Sequence, residues 1–415
     1  MTRVKYNNPF AALSHKSYRY YWVGMCISLI GTWMQNIAQP WLAYSMTNSA
    51  FLLSLIGILQ FTPVLLFSLF AGVIIDRFPK KKILFFTQSA SLVITLALAL
   101  LVWSKQIEYW HILVAAVAIG LVNTLDLPTR QAFVIELVGR EDLMNAVALN
   151  SSSFNIARII GPALAGIMMG YVGIATCFFI NAISFGAVLI SFIFIKTSKV
   201  DIVSKDKDDI IQNIRDGLKY IYGNTNLFYT ILAVAIISTF AMNFNVLVPV
   251  FSKEILGKKE AGFGFLMSLM GIGSFIGAML VAVMSKSDSK KFINFILNAV
   301  PFIMAVFLIS TGFTRIYALT GLCLALSGLS FVSFSSTANS TMQLNSKDEY
   351  RGRVMSVYSL VFSGSTPIGN LYSGLITHRF GPSMGFIACG AIIILLLIPF
   401  HIYKSKGFIA KNQIQ

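Results

Sequence analysis

Few ionisable side chains in this 415-residue chain stand where they could act on one another. Asp76 follows Gly72 by four residues and is followed by Arg77 and the run Lys80, Lys81, Lys82. Asp126 and Arg130 are four apart with Pro128 between them, so they share a helical face and can pair if the turn survives the proline. Arg158 stands alone inside an apolar stretch. Groups of this kind pair, lock helices or hold an anion. They do not supply covalent catalysis: no nucleophile–base pair is apparent. Cys26, Cys177, Cys323 and Cys389 all fall in apolar runs, without Cys-x-x-Cys or Cys/His spacing for a metal. A phosphate-cradling glycine loop ending in Gly-Lys-Ser/Thr is absent as well. An enzyme, a zinc site and a bound cofactor are therefore not expected, and any energy must come from an ion gradient or a separate subunit.

Neutral polar side chains inside apolar runs form the second set. Thr32, Gln35, Asn36 and Gln39 lie in the first run, Asn150 and Asn155 in the fifth, Asn243 and Asn245 in the seventh, and Asn339, Ser363 and Thr366 in the tenth and eleventh. Gln35 and Gln39 share one helical face, and a polar stripe of this sort turns away from lipid. These residues are expected to line the path of a small amphipathic cargo or to bond helix to helix. For Arg158 two readings stand: it snorkels toward a membrane surface from the first part of its helix, or it meets an anionic group of the cargo. No Asp or Glu occupies the middle of the first, second, seventh or eighth run, leaving Glu254, Asp126 and Glu136 as carboxylate candidates.

The elements that must position these residues are membrane spans. Hydrophobic residues make up 56% of the chain and charged ones 12%, against roughly 25% charged in a soluble domain. A span takes about 20 residues, so the length fits about twelve. The fourth is expected over Trp110–Leu127, closed by Pro128, and the seventh and ninth as continuous helices over Leu227–Phe251 and Phe292–Gly312. A six-helix bundle over residues 1–198, a polar linker over 199–226 and a second bundle over 227–415 follow. With both termini inside, 25 of the 32 Lys and Arg fall in inner segments, 6 in outer loops and Arg158 within a span, which favours cytoplasmic termini. The net charge of +16 is then explained by basic loops facing an anionic leaflet, with no nucleic acid partner.

The two halves repeat. Gly120, Gly161, Gly166 and Gly173 recur as Gly328, Gly369, Gly374 and Gly381, each 208 residues later. Pro40, Lys81 and Lys82 recur as Pro249, Lys290 and Lys291 at an offset of 209. A duplicated membrane unit is the pattern of a transporter with its site between related halves. Arg158 against Thr366 and Asp76 against Ser285 mark where the copies diverge.

The segment from Gly72 through Asp76, Arg77 and Lys81 resembles the Gly-x-x-x-Asp-Arg-x-x-Arg-Arg/Lys-Lys loop of the major facilitator superfamily. Asp126 to Phe133 resembles the Asp-x-Pro-x-Arg-Gln-Ala-Phe signature of the branch that contains enterobactin exporters and macrolide efflux proteins. Arg158, Gly161, Pro162 and Gly166 lie on a stretch similar to the antiporter motif Gly-x-x-x-Gly-Pro-x-x-Gly-Gly, with Ala at two glycine positions. The resemblance implies an all-α polytopic protein of twelve transmembrane helices in two pseudo-symmetric halves, working by alternating access in a bacterial cytoplasmic membrane. It implies a monomer, export of a small-molecule cargo such as a drug or siderophore, and a proton as coupling ion. Asp76, Asp126 and Arg130 are then expected to form a cytoplasmic charge cluster that locks one state. Import of a metabolite, a non-transporting sensor, and a permease subunit with a partner ATPase remain as alternatives.

Overall fold

The computed structural model describes residues 10–195, 210–284 and 290–412, without the side chains of Leu69, Val73, Asp76, Ile210, Ile211, Asn213 and residues 400–412. Every regular element among them is helical. After a 3-10 turn at Ala11–Ser14 come α1 (Lys16–Thr47), α2 (Ala50–Arg77), α3 (Lys80–Trp103), α4 (Tyr109–Val138), α5 (Leu143–Tyr171) and α6 (Ile174–Phe194). Then follow α7 (Ile210–Gly223), α8 (Thr225–Phe240), α9 (Phe244–Glu254), α10 (Glu260–Met284), α11 (Lys290–Asn298), α12 (Val300–Phe313), α13 (Tyr317–Leu344), α14 (Asp348–Phe380) and α15 (Pro382–Asn412). Among the described residues, ten segments are long and apolar enough to cross a membrane, α8–α9 and α11–α12 counting as one each. The remaining long helices, α1 and α14, are the more polar pair at 32 and 33 residues, and they complete a set of twelve. Helices that face a bundle interior carry such polar positions.

Three boundaries differ from expectation, each for a local reason. The α4 helix runs through Pro128 to Val138, because interhelical bonds to Asp126 hold the turn that the proline weakens, and it stops where Gly139 adopts φ +70°. The seventh span is broken over residues 241–243, where the Asn243 amide donates to the Thr239 carbonyl at 2.9 Å and so replaces a backbone partner. The ninth is broken at Ala299, since Pro301 lacks the N–H that would continue α11 and instead starts α12.

Contacts divide the chain into two compact units: Met1–Gln39 with Leu66–Asp206, and Pro40–Leu65 with Lys207–Gln415. This differs from a simple split at the linker. In the first unit α3 packs against α6 and α4, and α5 lies against α1. Tyr21, Phe133 and Phe192 fill the core there, with Tyr21 edge-on to Phe133 at 5.4 Å. In the second unit α10 lies along α13, and α12 along α15. The C-terminal part of α1 joins this unit through Trp41, whose Nε1 donates to Glu260 at 3.1 Å and whose ring stacks on Phe263. Tyr44 donates its hydroxyl to Glu254, and Lys253 donates to Asn48 at 2.8 Å. Helix α7, expected within the polar linker between the bundles, is docked there. Tyr220 stacks on Tyr350 at 4.4 Å, Arg353 pairs with Asp216 at 3.2 Å, and Gly217 lets the α14 backbone approach.

Two of the four repeated glycine pairs serve different ends. A methyl at Gly161 would overlap Cβ of Trp33 on α1, and one at Gly369 would overlap the Thr239 carbonyl oxygen of α8. These repeat-related positions permit the same helix contact in each half. Gly173 and Gly381 instead hold φ of +108° and +86° at the entry to α6 and α15, a conformation that costs other residues.

Candidate functional site

Two polar assemblies and a groove in the first unit gather many of the residues singled out above. The first surrounds Asp126, which is buried on α4. Its Oδ1 accepts from Thr87 Oγ1 at 2.6 Å and from Gln88 Nε2 at 2.7 Å, both on α3, while Oδ2 accepts from Arg130 Nε one turn away. Arg130 also touches Met25 on α1. The carboxylate thus has charge-assisted bonds from two helices, an arrangement that fixes α4 against α3. Nearby, Lys80 pairs with Glu136 at 2.6 Å, and Lys81 donates to the Ile195 carbonyl at 2.8 Å, capping the end of α6. Arg77 is exposed, and the side chain of Asp76, like the repeat position Ser285, lies outside the described residues. Gly72 is exposed, with no neighbour that a methyl would meet within 4 Å, so close helix approach does not account for it in this structure.

The second assembly is a buried amide cluster. Gln35 Oε1 accepts from Asn181 Nδ2 on α6 at 2.7 Å and from Thr95 Oγ1 on α3 at 3.2 Å, and Gln35 Nε2 donates to Gln39 at 3.3 Å. These bonds join three helices. Thr32 and Asn36, on the same helix, are partly buried.

In the same unit, α4 and α5 form a groove of about 530 Å³ lined by Gln131, Asn150, Ser151, Phe154, Asn155 and neighbouring aliphatic side chains. Asn150 accepts from the Tyr18 hydroxyl at 3.0 Å, and Asn155 donates to the Ser151 carbonyl at 2.8 Å. Phe154 is edge-on to Trp33 at 5.6 Å. Arg158 follows on the same helical stripe, its Nη2 donating to Asn155 Oδ1 at 3.0 Å. Pro162 and Gly166 are buried farther along α5, which continues past the proline to Tyr171.

In the second unit the predicted path residues are scattered. Asn243 and Thr366 are buried, Asn245 is exposed, Ser363 is partly buried, and Asn339 accepts from Gln343 at 2.6 Å. Residues not anticipated are Thr87, Gln88, Thr95, Asn181 and Gln131, together with the pairing of Tyr44 and Trp41 to Glu254 and Glu260. Each of the first four is a polar side chain inside an apolar run, and that was the available signal.

Two units, twelve long helices among the described residues and interior polar clusters, together with the family match that follows, make this a multi-pass membrane transporter of the major facilitator class. The chain belongs to the transmembrane secretion effector family, whose model matches residues 7–414. It is 26% identical over 392 residues to the staphyloferrin A transporter of Staphylococcus aureus, covering 94% of this chain and 96% of that one. It is 24% identical over 383 residues to macrolide efflux protein A of Streptococcus pyogenes, covering 91% and 93%. Among solved structures, the bacterial homologue of the human lysosomal transporter Spinster superposes with a TM-score of 0.73 at 11% identity, over 96% of this chain and 98% of that one. That likeness is one of fold.

Proposed function

We propose that this transporter exports a small amphipathic organic compound, of the drug or siderophore kind, from a bacterial cytoplasmic membrane with both termini inside. It works as a monomer by alternating access and draws on the proton gradient. The observation that carries the reading is the α4–α5 groove, where amides, a hydroxyl and an aromatic ring lie side by side, a lining suited to a molecule with both polar and apolar parts. Near full-length similarity to a macrolide efflux protein and a siderophore transporter supports the same cargo class and direction. In this scheme Gln35, Gln39, Asn150 and Asn155 shape the cargo path, and the Asp126–Arg130 pair, with Asp76, forms the lock at the cytoplasmic end.

The test is reconstitution in liposomes with an imposed pH gradient, using compounds first chosen by comparing accumulation in cells with and without the gene. Gradient-dependent movement out of the compartment matching the cytoplasm is expected. Movement that requires a partner ATPase, or none for any compound that differs in accumulation, would refute the reading.

A further inference from the structure

Arg158 lies near the middle of α5, with fifteen residues of the helix before it and thirteen after. At 1.5 Å per residue, either end is about 20 Å away. An arginine side chain reaches far less than that, so snorkelling to a surface does not account for it. Its only hydrogen-bond partner among the described residues is the neutral Asn155, and its Nε is buried with none. The acidic side chains described in this unit are engaged or placed elsewhere: Asp126 with Arg130, Glu136 with Lys80, Asp142 with His15, Glu108 with Trp110, and Glu141 at the surface. A guanidinium inside a span stays charged, and it is costly there unless something pairs with it.

We infer that Arg158 is an anion subsite at the end of the α4–α5 groove, and that the cargo carries a carboxylate or similar oxyanion. The fork of the guanidinium is built to take two carboxylate oxygens, and the unbonded Nε is one prong of it. Asn155 holds the other side of the fork in place. Phe154, one turn back, and Trp33 of α1, which packs edge-on against it, offer an apolar wall to the rest of such a molecule. A lipid headgroup does not fit the depth of the site.

This rests on the export reading, but its test is direct binding. Purified full-length protein in detergent is given an equimolar mixture of benzoate and benzamide, and saturation-transfer NMR compares the two ligands in one tube. Benzoate is expected to bind about tenfold tighter, the effect of a charge-assisted bond to a fixed cation. Arg158→Gln should abolish that preference, and Arg158→Lys should keep part of it. Equal binding to the wild-type protein, or a preference that survives Arg158→Gln, overturns the subsite; the wild-type comparison stands even if a variant fails to fold. Preferential displacement of benzoate by short-chain phosphatidylglycerol would assign the site to lipid and also overturn it. Benzoate preference without any export would retire the export reading alone, whereas export unchanged by Arg158→Gln would retire the subsite alone.

Discussion

Asp126 accepts hydrogen bonds from three side chains, and only Arg130 among them is charged. Both members of the pair are largely buried, so removing the negative charge leaves a guanidinium without its counter-ion. Loss of one partner from such a pair costs about 3–5 kcal/mol. Asp126→Asn should therefore lower the melting temperature in detergent by several degrees, and Asp126→Asn with Arg130→Met should recover part of the loss. An unchanged melting temperature for the single variant would show that the pair contributes little. Charge exchange between Asp76 and Arg130 tests the wider lock: rescue of transport lost in the single variants is expected, and failure at normal expression removes Asp76 from the cluster. The pair itself was legible from a spacing of four residues. Thr87 and Gln88 were not, because spacing along α4 says nothing about which face of α3 it meets.

At the level of helices, glycine type alone did not reveal role. Gly161 lies where a methyl would strike Trp33, whereas the exposed Gly72 meets nothing. Gly161→Leu should separate α5 from α1, with a large fall in both thermal stability and transport. Gly72→Ala should be tolerated, since Ala is favoured over Gly in a helix interior by about 1 kcal/mol. Measured transport and melting temperatures that ranked these two the other way would reject the packing argument. Most spans could be read from apolar run length, but Pro128 and Pro301 had opposite outcomes. The first sits in a turn held by side-chain bonds to Asp126 and is absorbed; the second stands at the first turn of a helix, where its missing N–H is not needed, and starts α12. A proline's effect depends on contacts that a linear pattern does not contain.

For the molecule as a whole, the duplication predicted two halves, and the contacts trade a piece between them: residues 40–65 belong with the second unit. The second half, expressed as residues 207–415, should thus be protease-sensitive around Glu254 and Glu260, which lose Tyr44 and Trp41 as partners. Co-expression with residues 1–206 should restore resistance; equal sensitivity with and without the first half would contradict this. Nothing in the repeat foretold the exchange, since Pro40 and Pro249 match as sequence while lying in differently bounded helices.

The isolated cation halfway along α5 also bears on energetics. A cargo that reaches it as an anion leaves a negative-inside cell down the electrical field, worth about 2.3 kcal/mol per charge at 100 mV. Voltage then adds to the proton gradient as a source of drive. Valinomycin with potassium, which removes the voltage and leaves the pH gradient, should therefore slow efflux measurably.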